Sequence, residues 1–258
     1  MPHLPVLRVV PLESIRRHEE VDPLRVERLV GRISSEGVQV NPMICCRAPD
    51  GELILLDGAT RTESLKRIGL DHAVVQMVEA DNVTLETWHH VVRECSPDEL
   101  LTAVTDRPDL TVGEEKGTPG IHLRDAGSRL VLGVGVSPNA TLSSLVAAYI
   151  GTWRVNRVPD PGVDTVTWSF PDWSAVVQFP ILTLHDVMKA AITDDLLPAG
   201  ITRFLVEERA LRLNVPLDLL EGRGSLADKQ GALDDLIAER TRNGRVRRYE
   251  ETVVILDE

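Results

Sequence analysis

The order of apolar and polar positions divides the first third of the chain into alternating strands and helices. Short apolar runs predict four strands, at residues 7–11, 42–47, 53–56 and 72–78. Between the first two, apolar residues at positions i, i+3, i+4 and i+7 predict a helix that begins at Asp22-Pro23 and ends at Gly37. A second helix is predicted between the third and fourth strands. The resulting β-α-β-β-α-β order indicates a compact mixed α/β unit.

The junction between the third strand and the second helix is the most informative stretch. Asp57-Gly58 follows the strand, and Thr60 and Glu63 have the spacing of a capping box, which predicts Thr60 as the N-cap. The first amides of a helix are free to bind an anion, and Arg61 adds a guanidinium suited to phosphate. We therefore predict a phosphate site here; the alternative is an ordinary turn followed by a capped helix.

The rest of the chain is less regular. Residues 84–92 fit strand better than helix, and Ser96 begins a short helix. Beyond it the pattern predicts a loop at 105–120, strands within 122–134, a helix at 141–153, a loop at 156–162, strand-like pieces at 163–179, a helix at 183–192, an irregular apolar segment at 197–220, a helix at 225–242 and a strand at 245–256. We expect two domains, 1–95 and 96–258, with the second closing a cleft over the first.

Composition narrows the class of protein. The chain has 258 residues, 43% hydrophobic and 26% charged, with a net charge of −12 that argues against non-specific nucleic-acid binding by the bulk surface. No apolar run approaches the ~18 residues that span a bilayer, and we see no signal peptide. The three cysteines fit neither a disulfide framework nor a zinc site, so we expect a cytoplasmic protein without a protein-built metal site. Walker A, G-x-G-x-x-G, protein-kinase and G-x-S-x-G motifs are absent.

Three further places could carry chemistry, each with an ordinary alternative. Glu19 could act as a general base, although a solvated charge is the commoner state of such a residue. Trp88 could wall a small-molecule pocket or lie in the core. His89 and its neighbour His90 should not share a metal ion, because adjacent strand residues face opposite ways; we expect one to be exposed and one buried. Thr202 and Arg203 fit an anion site or a surface loop equally well.

Together these motifs resemble a known family. The segments H-E-x-x-D-P-L-R (18–25), L-L-D-G-x-x-R (55–61) and S-L-K-R-I-G (64–69) are similar to the ParB/sulfiredoxin-like fold, and especially to its free L-serine kinases. T-W-H (87–89), P-A-G-I-T-R-F (198–204) and L-N-V-P-L-D-L-L (213–220) occur in the same order in that family. The resemblance covers nearly the whole chain, and it is weakest at about residues 105–180.

The resemblance implies phosphoryl transfer from ATP or ADP, with Mg²⁺, to the hydroxyl of L-serine. It implies two catalytic residues, Glu19 and Asp57. The nucleotide- or phosphate-binding residues would be Gly58, Ala59, Thr60 and Arg61. The substrate-binding residues would be Trp88, His89, Thr202 and Arg203. The family usually has histidine where this chain has Thr60, which offers only a hydroxyl.

The resemblance also suggests a specialised pathway of siderophore or diaminopropionate type, and a homodimer. A DNA-binding regulator of the ParB type is the main alternative, which the net charge disfavours. Sulfiredoxin-like chemistry would need a reactive cysteine beside the phosphate site, but Cys45 and Cys46 fall within an apolar strand. A kinase for another small hydroxy amino acid stays open, because one methyl group changes discrimination by only ~1–3 kcal/mol.

Overall fold

The computed structural model describes residues 4–222 and 224–248. Within these ranges the α-helices are α1 (Pro23–Glu36), α2 (Ala59–Ile68), α3 (Pro97–Thr105), α4 (Pro138–Ala147), α5 (Val163–Ser169), α6 (Leu184–Thr193), α7 (Leu217–Leu220) and α8 (Leu226–Arg242). The strands are β1 (Val6–Pro11), β2 (Ile15–Arg16), β3 (Val38–Gln39), β4 (Met43–Arg47), β5 (Leu53–Asp57), β6 (His72–Met77), β7 (Val83–Thr87), β8 (His89–Arg93), β9 (Leu110–Gly113), β10 (Gly120–Leu123), β11 (Gly127–Gly133), β12 (Arg154–Val158), β13 (Trp173–Gln178), β14 (Thr202–Val206) and β15 (Val215–Pro216).

Two sheets organise these elements. The first has the strand order β1-β6-β4-β5-β2, and the second has the order β12-β8-β13-β10-β11-β9. Two short pairs, β14 with β7 and β15 with β3, connect the later part of the chain to the earlier part. The predicted mixed α/β class is confirmed, as are the four strands and two helices of the first unit.

Strand β4 shows why its apolar run is continuous rather than alternating. Met43 and Cys45 pack in a core with α1, α2, α7 and α8, whereas Ile44 and Cys46 pack in a second core with strands of the other sheet. Successive strand residues face opposite sides, so both faces of this strand are covered. Burial raises the pKa of the Cys45 thiol above its usual range, which fits a packing role for this cysteine.

The helix boundaries follow local chemistry. Asp22 accepts hydrogen bonds from the amides of Leu24 and Arg25, and Pro23 occupies the first position of α1. Gly37 ends that helix in the left-handed conformation, with φ of 64°. In α3, Ser96 and Glu99 form a complete capping box.

Several sequence predictions in the middle of the chain are wrong. The predicted loop at 156–162 begins within strand β12, and the first strand-like piece after residue 163 is helix α5. Strand β9 lies inside the predicted loop at 105–120, and short elements β14, β15 and α7 occupy the segment expected to be irregular. The strand predicted at 245–256 lies mostly outside the described residues.

The chain crosses between the two sheets more than once. Strand β8 pairs with β12 and β13 of the second sheet, while α8 returns to pack against β1 of the first. The division of the chain at residue 95 stays a prediction. No helix among the described residues is long and apolar enough to cross a membrane.

Candidate active site

A cleft of about 550 Å³ opens where the first unit meets the segment after β13. One wall comes from α1, the end of β5 and the start of α2. The other comes from residues around β14 and from β12. Nearly all of the sequence-predicted site residues line it, namely Glu19, Asp57, Gly58, Ala59, Thr60, Arg61, Trp88, Thr202 and Arg203.

The turn between β5 and α2 differs from its prediction. Gly58, with φ of 111°, is the N-cap of α2, and no side chain caps the helix. Thr60 is the second helical residue, so the predicted Thr60–Glu63 capping box is wrong. Glycine replaces the polar cap because this turn needs a left-handed backbone. The first helical bond joins the Thr62 amide to the Gly58 carbonyl, which leaves the earlier amides without a partner inside the helix.

Close packing also requires glycine at position 58. A Cβ atom there would lie 2.8 Å from Cγ of Met43 and 2.9 Å from Nη2 of Arg61. The Arg61 side chain thus folds back over the turn and covers the start of its own helix. This places a guanidinium and free helix amides in the same corner of the cleft, an arrangement suited to a phosphate group.

Asp57 is held between two arginines in this corner. Its Oδ2 lies 3.4 Å from Nη2 of Arg61 and also accepts a hydrogen bond from Arg209. Burial alone would raise the pKa of Asp57, but the two guanidiniums outweigh it and hold that pKa below its usual value. The group is therefore ionised at neutral pH, and the corner as a whole carries excess positive charge.

Glu19 is fixed by contacts with a segment that is distant in the sequence, residues 197–200. The backbone on either side of it pairs with Leu197: the Glu20 amide donates to the Leu197 carbonyl at 2.8 Å, and the Leu197 amide donates to the His18 carbonyl at 2.9 Å. Oε2 of Glu19 accepts a hydrogen bond from the Gly200 amide at 3.0 Å. The carboxylate is half-buried and faces the cleft, so it is not a freely solvated charge.

His18 has a structural role that the sequence did not indicate. It is 1% exposed; its Nδ1 donates to the Leu55 carbonyl at 2.7 Å, which leaves Nε2 to accept from the Thr202 hydroxyl at 3.2 Å. Burial lowers the pKa of the imidazole, although the charge of Glu19 opposes that shift. The neutral ring therefore joins the Glu19 segment, strand β5 and strand β14.

Trp88 and Arg203 line another part of the cleft. The Arg203 guanidinium lies 4.6 Å from the centre of the Trp88 ring, and it also pairs with Glu86 at 3.0 Å. The pairing of β14 with β7 places these residues side by side. A flat aromatic surface with an adjacent cation suits a small zwitterion or an anion.

His89 is the one predicted site residue that the structure does not bring into the cleft. Its Nδ1 accepts a hydrogen bond from the Phe179 amide at 3.1 Å. His90, on the other face of β8, bonds to the Tyr149 hydroxyl at 2.7 Å through Nδ1. Both rings are buried, so the prediction of one exposed histidine is wrong. Both faces of β8 are covered, one by each neighbouring core.

Four cleft arginines were missed from the sequence, namely Arg25, Arg32, Arg157 and Arg209. Arg25 is in the resembling H-E-x-x-D-P-L-R segment, which could have drawn attention to it. Nothing local distinguishes the other three. Among the described residues no group of three or more acidic, histidine or cysteine side chains could hold a metal ion.

Known proteins resemble this chain in sequence and in fold. No protein-family model matches the chain. The ATP-dependent L-serine kinase SbnI of Staphylococcus aureus is 24% identical over 225 residues, which cover 83% of this chain and 84% of SbnI.

Solved structures match over most of the molecule. C-terminally truncated SbnI superposes with a TM-score of 0.74 at 22% identity, over 91% of this chain and 97% of that one. A free serine kinase in complex with AMP gives a TM-score of 0.73 at 15% identity, over 85% and 95%. The chain therefore has the fold of the free serine kinases, and it is homologous to SbnI. The resemblance inferred from the motifs is confirmed.

Proposed function

We propose that this protein is a kinase that transfers a phosphoryl group from ATP to the hydroxyl of free L-serine, giving O-phospho-L-serine. One observation carries the proposal: a carboxylate fixed by Gly200 and a cationic corner at a helix start face the same cleft. The homology to an ATP-dependent L-serine kinase supports the choice of substrates.

Glu19 is the proposed general base. Its backbone is clamped to Leu197 and one carboxylate oxygen is held by the Gly200 amide, so the other oxygen is left to accept the serine proton. A base held in place loses little entropy when the substrate hydroxyl arrives. The deprotonated hydroxyl then attacks the terminal phosphorus in line, the new O–P bond forms as the bond to ADP breaks, and ADP leaves.

The corner at the start of α2 is the proposed site for the transferring phosphoryl group. The amides of Ala59 and Thr60 and the guanidiniums of Arg61 and Arg209 would neutralise charge on its oxygens. Thr60 can add a hydroxyl donor, which is a weaker contribution than the family's histidine would make. The backbone amides at the start of α2 keep the same geometry whether position 60 is threonine or histidine.

Asp57 fits a magnesium ion that is held mainly by the phosphate oxygens of the substrate. Mg²⁺ in phosphoryl-transfer sites uses one or two carboxylates and several phosphate oxygens. Asp57 is the carboxylate at the corner, and both arginines contact its Oδ2, which leaves Oδ1 for a metal ion. Bound there, Mg²⁺ would offset negative charge on the phosphate oxygens.

The decisive experiment is ³¹P NMR of the purified protein with L-serine, Mg²⁺ and either ATP or ADP. We expect a phosphoserine signal with ATP. Glu19→Gln should lower turnover by roughly 10²–10⁴-fold, since the amide cannot accept the proton. The matched control is Glu27→Gln, which alters an exposed carboxylate on α1 outside the cleft and should retain activity. Unimpaired turnover by Glu19→Gln would refute the assignment of the base.

The pathway, the compartment, the oligomeric state and DNA binding need separate experiments. We infer a supply of phosphoserine to a siderophore or diaminopropionate-type pathway, in a cytoplasmic setting, from the family resemblance. Growth of a deletion strain with and without added phosphoserine tests this role. Homodimer formation and DNA binding are tested by light scattering and by a gel shift with the gene's upstream DNA at physiological salt.

A further inference from the structure

Arg157 is a cleft residue that the proposed chemistry has not yet used. It lies on β12, directly across from His90 of β8, and reaches the cleft beside Glu19 and Gly200. Among the described residues its guanidinium makes neither a hydrogen bond nor an ion pair. Arg157 is exposed as a whole residue, but the protein atoms around its guanidinium lower its pKa, the charge of Arg25 lowers it further, and the charge of Glu19 opposes both effects. Two neighbouring cations without a dedicated partner indicate an anionic ligand.

Gly200 determines where this guanidinium lies. A Cβ atom at position 200 would overlap with the guanidinium of Arg157, and φ there is +80°. Arg157 therefore packs against the bare Cα of Gly200, in the space that any side chain would fill. The amide of the same glycine donates to Glu19. One residue thus holds the proposed base on one side and a cation on the other.

We propose that Arg157, assisted by Arg25, binds the α-carboxylate of the free amino-acid substrate; this inference rests on the function proposed above. In a β-hydroxy amino acid only two carbons separate the hydroxyl oxygen from the carboxylate carbon. A base for the hydroxyl and a cation for the carboxylate must therefore be near neighbours, as Glu19 and Arg157 are around Gly200. A guanidinium is well suited to a carboxylate because it can donate two parallel hydrogen bonds.

The charge distribution favours the carboxylate over the nucleotide as the ligand of Arg157. The corner at Asp57 already has two arginines and the start of α2 for phosphate. Arg157 belongs to a separate group around Glu19, contributed by β12 and α1. Free amino acid would then be selected over a serine residue within a peptide, because a peptide bond removes the charge that Arg157 recognises.

The test compares L-serine with L-serinamide, whose carboxylate is replaced by a neutral amide. We expect wild-type protein to prefer L-serine, and Arg157→Gln to raise the KM for L-serine by about 10- to 100-fold, the loss expected for hydrogen bonds to a charged group. The KM for ATP and the KM for L-serinamide should stay unchanged. Arg157→Lys should restore part of the preference. The matched control is Arg154→Gln, which removes an exposed arginine of the same strand that pairs with Glu94.

Calorimetric titration of each protein with L-serine and L-serinamide, without nucleotide, separates this inference from the proposed function. If serine binds, serinamide does not, and Arg157→Gln abolishes the binding, the inference is supported even when no phosphoserine forms. The absence of phosphoserine would refute only the proposed kinase activity. Four results would each overturn the inference. For Arg157→Gln they are an equal loss of affinity for serine and serinamide, a parallel rise in the KM for ATP, or an unchanged KM for serine. For the wild-type protein it is the absence of serine binding. Thermal melts that match Arg154→Gln verify that the variant is folded.

Discussion

Removal of Arg209 tests how the charges at the cleft corner stabilise the protein. The Arg209→Gln substitution takes away one of the two cations on Asp57 and a second hydrogen bond, 3.1 Å long, from Nη2 to the Phe204 carbonyl. Arg61 stays in place, so Asp57 keeps one partner. The substitution therefore weakens the corner without leaving an isolated carboxylate.

The size of the effect follows from the exposure of the pair. Two unit charges about 4 Å apart attract by about 4 kcal/mol at an effective dielectric constant near 20, and by about 1 kcal/mol in water. The Arg209 and Asp57 side chains are 30% and 40% exposed, between those limits. Solvent screening and the remaining Arg61 reduce the net loss, so we expect unfolding to become easier by about 1–2 kcal/mol.

The assay is urea unfolding of the wild-type and Arg209→Gln proteins across a pH series. The pKa of Asp57 is lowered in the folded state, so its stabilisation is complete above the carboxyl's ordinary pKa and is lost as pH falls through the lower folded value. The difference between the two proteins should therefore be largest at neutral pH and shrink in acid. Arg16→Gln, which breaks an exposed pair with Glu52, should change stability by at most about 0.5 kcal/mol. A pH-independent loss for Arg209→Gln would show that packing, not charge, is responsible.

Two further substitutions test features of the same region. Gly58→Ala forces a side chain against Arg61 at a left-handed backbone position, so we expect the free energy of unfolding to fall by about 1–3 kcal/mol and activity to be lost. The control is Gly51→Ala, which is also left-handed but has open space around it, and which should be less destabilising and fully active. Equal effects of the two substitutions would contradict the close-packing argument. Tyr149→Phe removes the buried hydroxyl bonded to His90 and should destabilise the fold by about 1–3 kcal/mol in urea unfolding, and a neutral result would show that the imidazole finds another partner.

Much of the first unit could be predicted because local chemistry determines it. The Asp22-Pro23 start and Gly37 end of α1 depend on neighbours in the sequence, and so do the buried strands around Asp57. The N-cap of α2 was misplaced because Thr60 and Glu63 have the right spacing, yet Gly58 already provides the left-handed turn. A spacing motif describes which bonds are available and does not show which conformation the preceding turn adopts.

The elements and site residues that could not be predicted from the sequence depend on contacts between distant residues. Strand β12 reads as a polar loop since it carries two arginines and an asparagine, and its pairing with β8 becomes evident only in three dimensions. Helix α5 contains β-branched residues that favour strand, but its Val166 packs against Trp173 in a small core on the second sheet. Arg157 and Arg209 could not be recognised for the same reason: their importance comes from where the chain places them.

The link between Glu19 and Gly200 has a consequence for how the protein is made. These residues are 181 positions apart, and the strand pairs that support the link, β14 with β7 and β15 with β3, also join distant parts of the sequence. A nascent chain that has left the ribosome only as far as residue 195 contains Glu19 and the turn at Gly58, yet it lacks Leu197 and Gly200, which hold Glu19 in place. The cleft therefore cannot assemble until most of the chain has been synthesised, and contacts between residues so distant in sequence are typical of slowly folding proteins. Chains that terminate before this point would therefore lack an assembled cleft.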